Sequence, residues 1–194
     1  MIEIRNLSKC YGEKTVFKNV TFSVSDGSAV VLTGASGIGK TTLMRCIAGL
    51  DKPDSGTVSG LDGKKLTYAF QENRLIPQIS VMQNLLCFKN DAPRAEALLK
   101  RTGLFADAAT KAGSLSGGMK RRLSVVRALL YGGDVYFLDE PFKELDPNTA
   151  FDLRRLVKEE TVGKTLFLIT HDSSDVKFFN ATEIKLTRAS EQDS

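Results

Sequence analysis

Residues 29–50 join three patterns that together leave few folds open: an apolar run, a glycine-rich loop and a helical stretch. The run Ala29-Val30-Val31-Leu32-Thr33 has no polar alternation, as a strand buried on both faces of a largely parallel sheet requires. The loop Gly34-Ala35-Ser36-Gly37-Ile38-Gly39-Lys40-Thr41 fits the spacing G-x-x-x-x-G-K-[ST]. Beyond it, Leu43, Met44, Ile47, Ala48 and Leu50 mark a helix that ends near Gly49. Strand, loop and helix in that order are the setting in which such a loop cradles phosphate.

The chemistry of the loop follows from what a triphosphate needs. Many donors must approach its oxygens closely, and glycines at 34, 37 and 39 let the backbone N–H groups converge on one anion. The helix that follows adds its positive end. Lys40 reaches the β- and γ-phosphates as a point charge, the Thr41 hydroxyl is a magnesium ligand, and Thr42 faces the α-phosphate. Gly34, Ala35, Ser36, Gly37, Ile38, Gly39, Lys40, Thr41 and Thr42 are thus the candidate contacts to ATP and Mg2+. A second element supports them: Val135-Tyr136-Phe137-Leu138 is an apolar run ending in Asp139-Glu140. Asp139 suits the magnesium shell, and Glu140, one residue on, suits a general base that polarises the attacking water.

The bulk of the chain agrees with an α/β enzyme. It has 194 residues, enough for one well-buried core, and a net charge of +4 that singles out no partner class. Cys10, Cys46 and Cys87 lie far apart with no C-x-x-C, which argues against a disulfide framework or zinc site and for a reducing compartment. Strand patterns over 2–7, 20–24, 29–33 and 66–70 precede a helical stretch. Helices are expected from Ser80 to 88 and from Pro93, and then from Ser116 to about 130. Strands over 135–138, 165–170 and 182–186 then alternate with helices over 147–160 and 173–179. We expect one domain over 1–194, with 72–114 inserted as a helical subdomain and 189–194 a polar tail. No apolar run approaches membrane-spanning length.

Between the two phosphate-related elements lies Leu115-Ser116-Gly117-Gly118-Met119-Lys120-Arg121-Arg122. Ser116 is placed to cap a helix whose first amides, with Gly117 and Gly118, make a second anion nest. This run resembles the signature of ABC-type ATPases, and the order of elements around it resembles that family across essentially the whole chain. The resemblance implies a P-loop NTPase core with a mostly parallel sheet, an N-terminal antiparallel β subdomain and a small helical subdomain. It implies that Tyr11 stacks on adenine and that Gln71 is the Q-loop glutamine linking the metal site to the helical subdomain. Glu144-Leu145-Asp146 then matches the D-loop, and His171 the switch histidine at the γ-phosphate. In the family each ATP lies between the loop of one subunit and the signature of another, so Ser116, Gly117 and Gly118 would contact nucleotide in trans. The catalytic candidates are therefore Glu140, His171 and Lys40, and the metal candidates Thr41, Gln71 and Asp139. Two positions depart from the family: Met119 stands where glutamine is usual, and Lys143-Glu144 puts a charged pair where small residues are usual.

The family resemblance implies an ATPase whose hydrolysis drives a transporter. Its expected partners are a second ATPase subunit, taken as a copy of this chain, and an integral membrane permease. Gln71-Glu72-Asn73-Arg74-Leu75-Ile76-Pro77 resembles the permease-facing segment of importers for nitrate, sulfonate and thiamine precursors. An importer with a substrate-binding protein is therefore favoured, at the cytoplasmic face of the membrane and with no nucleic acid partner. The alternatives are an exporter or cell-division ATPase, or a soluble ABC ATPase of an assembly or repair complex. The repair type carries a long coiled coil between its two motifs, for which the insertion here is far too short.

Overall fold

The computed structural model describes residues 1–187; the tail expected over 189–194 lies outside the described residues. The chain opens with β1 (Ile2–Tyr11) and β2 (Lys14–Val24), an antiparallel pair in which Ile2 faces Val24 and Tyr11 faces Lys14. Both strands run further than their hydrophobic pattern suggests, because the added residues are largely polar and lie on solvated faces. β4 (Ser55–Ser59) pairs antiparallel on the other side of β1, giving the order β2-β1-β4. Asp54 ties its start to β1, accepting from the Cys10 N–H at 2.6 Å and from Lys9 Nζ at 3.3 Å.

A second sheet has the order β5-β6-β7-β3-β8, formed by β3 (Ala29–Thr33), β5 (Leu66–Ala69), β6 (Val135–Asp139), β7 (Thr165–Ile169) and β8 (Thr182–Lys185). β3 runs parallel to both β7 and β8. Every residue of β6 and of β7 is buried, which accounts for their unbroken apolar composition. Phe137 and Phe167 stack with ring centroids 5.0 Å apart.

The chain divides into two compact units: residues 1–66, 134–137 and the described part of 163–194 form one, and 67–133 with 138–162 form the other. In the first, α1 (Lys40–Ile47) packs against β7 and buries Leu43, Met44 and Ile47, and α6 (Ser174–Phe178) packs against β3. The second unit is helical, with α2 (Val81–Leu86), α3 (Ala92–Arg101), α4 (Gly117–Tyr131) and α5 (Pro147–Glu160). Leu85, Leu98, Leu99, Leu123, Val126, Leu153 and Val157 are buried in it.

Local signals explain where these helices begin and end. Ser80 and Gln83 form a reciprocal capping box on α2. Asp91 caps α3 ahead of Pro93, and Asp146 caps α5 ahead of Pro147. Gly132, at φ 71°, stops α4. Arg94 and Arg101 of α3 form ion pairs with Glu160 and Glu159 at the end of α5. Among the described residues no helix is long and apolar enough to cross a membrane.

Candidate active site

In the first unit, the glycine-rich loop leaves the end of β3 and is shaped by contacts only glycine permits. Gly34 has φ 138°, and a Cβ there would lie 2.7 Å from the Leu186 carbonyl oxygen. Gly39, at φ 108°, is pressed against Val16 of β2, where a Cβ would overlap the valine side chain. Gly39 is also the N-cap of α1; it offers no side-chain cap, and no acidic residue lies in the first turn. The first amides of α1 thus meet no acceptor from a capping side chain, the condition for binding an anion there. Lys40 is 5% exposed, and its ammonium donates to the carbonyls of Gly34 and Ala35, each at 2.9 Å. The lysine is thereby held over the loop whose phosphate it is expected to meet.

His171 belongs to the same unit and follows β7. Because β3 and β7 are parallel with Leu32 opposite Ile169, the loop after Thr33 and the turn after Ile169 leave the same end of the sheet. Hydrogen bonds shape the turn carrying His171: Thr170 Oγ1 donates to Asp175 Oδ2 at 2.7 Å and accepts from the Asp172 N–H at 3.1 Å. Asp175 is fully buried, while the His171 side chain is exposed. Tyr11, 55% exposed, ends β1 in the hairpin that also supplies Val16, and Lys9 Nζ lies 5.2 Å from its ring centroid.

The remaining predicted residues fall in the second unit. Ser116 caps α4, its Oγ accepting from the Met119 N–H at 3.2 Å. Gly117 and Gly118 sit against the 144–145 segment. A Cβ on Gly118 would lie 3.2 Å from Leu145 Cδ2, and one on Gly117 would lie 3.6 Å from Glu144 Oε2. Gln71 follows β5, and its carbonyl, like that of Phe70, accepts from the Arg121 guanidinium, at 2.9 Å for Phe70. Asp139 ends β6 with 1% exposure. Glu140 follows at φ 49°, a conformation costly for a side chain with a Cβ and common at functional sites.

Two functional candidates escaped the sequence reading. Arg121 is 8% exposed; burial pushes its pKa down, while Glu144, Asp139, Glu140 and Glu72 pull it back up. Its partners Phe70 and Gln71 lie 51 and 50 positions away in sequence, so no local signal marks it. Lys143 forms an ion pair with Glu140 at 2.9 Å, and the hydrogen bond to that carboxylate raises the lysine pKa above its ordinary value. The departure of Lys143 from small residues was legible, but its partner was not.

The family model "ABC transporter" matches residues 17–143. A lipoprotein-releasing system ATP-binding protein, LolD, of Syntrophotalea carbinolica is 37% identical over 202 residues, covering 89% of this chain and 89% of its own length. An aliphatic sulfonates import ATP-binding protein, SsuB 3, of Pseudomonas savastanoi is 35% identical, covering 90% of this chain and 68% of its own. Among solved structures, an ATP-binding cassette in a dimeric post-hydrolysis state bound to ADP and Pi superposes with TM-score 0.87 at 30% identity, covering 97% of this chain and 95% of that one.

Proposed function

Because this chain belongs to the ABC transporter family and is an ATPase, we propose that it is the subunit whose ATP hydrolysis drives a membrane permease. The observation that carries the reading is the loop at 34–41, which ends a buried parallel strand, opens an uncapped helix and holds a buried lysine over its own carbonyls. ATP binds with its phosphates on the loop amides and its base on Tyr11. Lys40 turns from the carbonyls of Gly34 and Ala35 to the phosphates, and His171 meets the γ-phosphate. Glu140 accepts a proton from the attacking water.

Thr41, Gln71 and Asp139 carry the hard oxygen donors that a magnesium ion takes, and they are the residues that would hold one. Among the described residues no group of three His, Cys, Asp or Glu side chains is poised for a metal. A bound magnesium ion would neutralise charge on the phosphate oxygens.

The signature turn at Ser116, Gly117 and Gly118 serves the nucleotide of a second copy of the chain, in a head-to-tail dimer. Support comes from its construction as a capped helix N-terminus and from the dimeric state of the cassette compared above. Residues 72–114 act as the permease-facing helical insertion of a single domain. Arg127 of α4 holds the carbonyls of Asn73 and Arg74 at the start of that stretch, and Asn84 exchanges hydrogen bonds with Ile76 within it. Ile76 and Phe88 stay 41% and 51% exposed. The protein works at the cytoplasmic face of the membrane. Import of a small solute delivered by a binding protein is the favoured direction, supported by the sulfonate, phosphonate and arginine transport relatives. The lipoprotein-releasing and macrolide-export relatives are the counterweight.

Ser116→Arg tests the shared site. It should reduce hydrolysis by at least about 100-fold while leaving ATP binding to the monomer within about twofold, because the residue acts on the partner's nucleotide. Full hydrolysis in a phosphate-release assay would remove the signature turn from the reaction.

A further inference from the structure

The function above gives the charged side chain of Lys143 no task. Its geometry does. The turn after β6 has left-handed residues at both ends, Glu140 at φ 49° and Glu144 at φ 62°. The Lys143 N–H donates to the Glu140 carbonyl at 3.3 Å, so the chain doubles back on itself. The lysine ammonium is thereby set 2.9 Å from Glu140 Oε2. The two partners differ in exposure: the Glu140 side chain is 10% exposed and that of Lys143 is 44% exposed. The carboxylate is nearly buried, whereas the lysine has water within reach.

We propose that Lys143 is a positioning residue that restrains hydrolysis by holding Glu140 in an ion pair; this rests on Glu140 being the general base. In the reaction the water oxygen bonds to the γ-phosphorus, and the bond from that phosphorus to the β–γ bridging oxygen breaks with its electrons leaving on ADP. One water proton passes to the Glu140 carboxylate. As that proton arrives, Glu140 loses its charge and the attraction to Lys143 fades. The ion pair is thus stronger in the ground state than in the transition state, and such an interaction raises the barrier. A half-exposed pair of this kind is modest in strength, so the restraint slows turnover by a factor of roughly two to five.

The test follows a single turnover, so that slow dimer assembly does not hide the step. Each variant is loaded with ATP without metal and mixed with Mg2+, and phosphate release is followed. ATP affinity is measured separately by equilibrium binding. Lys143→Ala and Lys143→Met should release phosphate about two- to fivefold faster than the unmodified chain, with ATP affinity unchanged and a shorter-lived ATP-bound dimer. Lys143→Arg keeps a cation and should return the rate toward that of the unmodified chain. Glu140→Gln, made alone and with Lys143→Ala, should arrest turnover in both backgrounds. If Glu140→Gln arrests turnover but Lys143→Ala is no faster, the restraint is refuted and the base stands. If Glu140→Gln turns over normally, the base assignment falls and the restraint falls with it.

Discussion

The glycine-rich loop and the signature turn, both proposed to meet phosphate, each open a helix, yet they are built in opposite ways. The phosphate loop uses glycine for conformation: Gly34, Gly37 and Gly39 all have positive φ, and Gly39 leaves α1 without a side-chain cap. The signature turn uses glycine for space, since Gly117 and Gly118 lie in the first turn of α4 with no positive φ. The tight neighbour is at Gly118, where a Cβ would lie 3.2 Å from Leu145 Cδ2; one on Gly117 would sit at ordinary contact distance from Glu144. The first nest also brings its own cation in Lys40, whereas the second is capped by a neutral hydroxyl, Ser116. On the proposed function the first turn adds a charge of its own to the triphosphate, and the second adds only neutral donors to a site on another copy.

The largest effect that tests this difference is at Lys40. On the proposed function its nearly buried ammonium exchanges the Gly34 and Ala35 carbonyls for phosphate oxygens, and a charge-assisted bond between two ions contributes about 1.5–3 kcal/mol. Lys40→Ala should weaken ATP binding by roughly 100-fold or more. Equilibrium binding that stays within a few-fold would mean the loop amides suffice and the contrast between the nests is one of shape alone.

A smaller effect separates the two uses of glycine. Gly34→Ala meets both a positive φ and a carbonyl oxygen at 2.7 Å, backbone that cannot move aside. It should cost about 2 kcal/mol or more in urea denaturation. Gly118→Ala meets Leu145 Cδ2 at 3.2 Å, the end of a flexible side chain, in a helix that alanine favours by about 1 kcal/mol over glycine. Its stability should stay within about 1 kcal/mol of the parent chain. Equal losses for the two variants would erase the distinction between conformation and space.

The same contrast explains what was legible beforehand. The strand, loop and helix at 29–50, the Ser116 cap and the Asp146-Pro147 start of α5 are encoded within a few residues of where they act. The outer halves of β1 and β2 were not, because their residues pair with one another across a hairpin whose solvated faces leave no apolar pattern. Arg121 contacts residues 50 and 51 positions away, so its role depends on where the fold puts β5. Lys143 is only three residues from Glu140, but their contact requires left-handed backbone at two glutamates, which no local propensity suggests.

The smallest effect concerns a third helix start. Where α1 has no cap and α4 a neutral one, α5 is capped by a carboxylate: Asp146 Oδ1 accepts from the Thr149 N–H at 3.1 Å. The Thr149 side chain and then its N–H hold the Asp146 pKa below its ordinary value of 3.8. A depressed folded pKa gives a contribution that is present above the unfolded pKa and lost as pH falls through the folded value. Asp146→Asn keeps an oxygen cap but cannot titrate. The stability difference between parent and variant should therefore be constant from pH 7 down to about 4 and shrink below it, measured by urea denaturation at each pH. Ser116→Asn, which exchanges one neutral cap for another, should leave the acid limb of the same curve unmoved. A shrinking difference in both variants would trace the acid dependence to other carboxylates and leave the Ser116 and Asp146 caps alike in all but geometry.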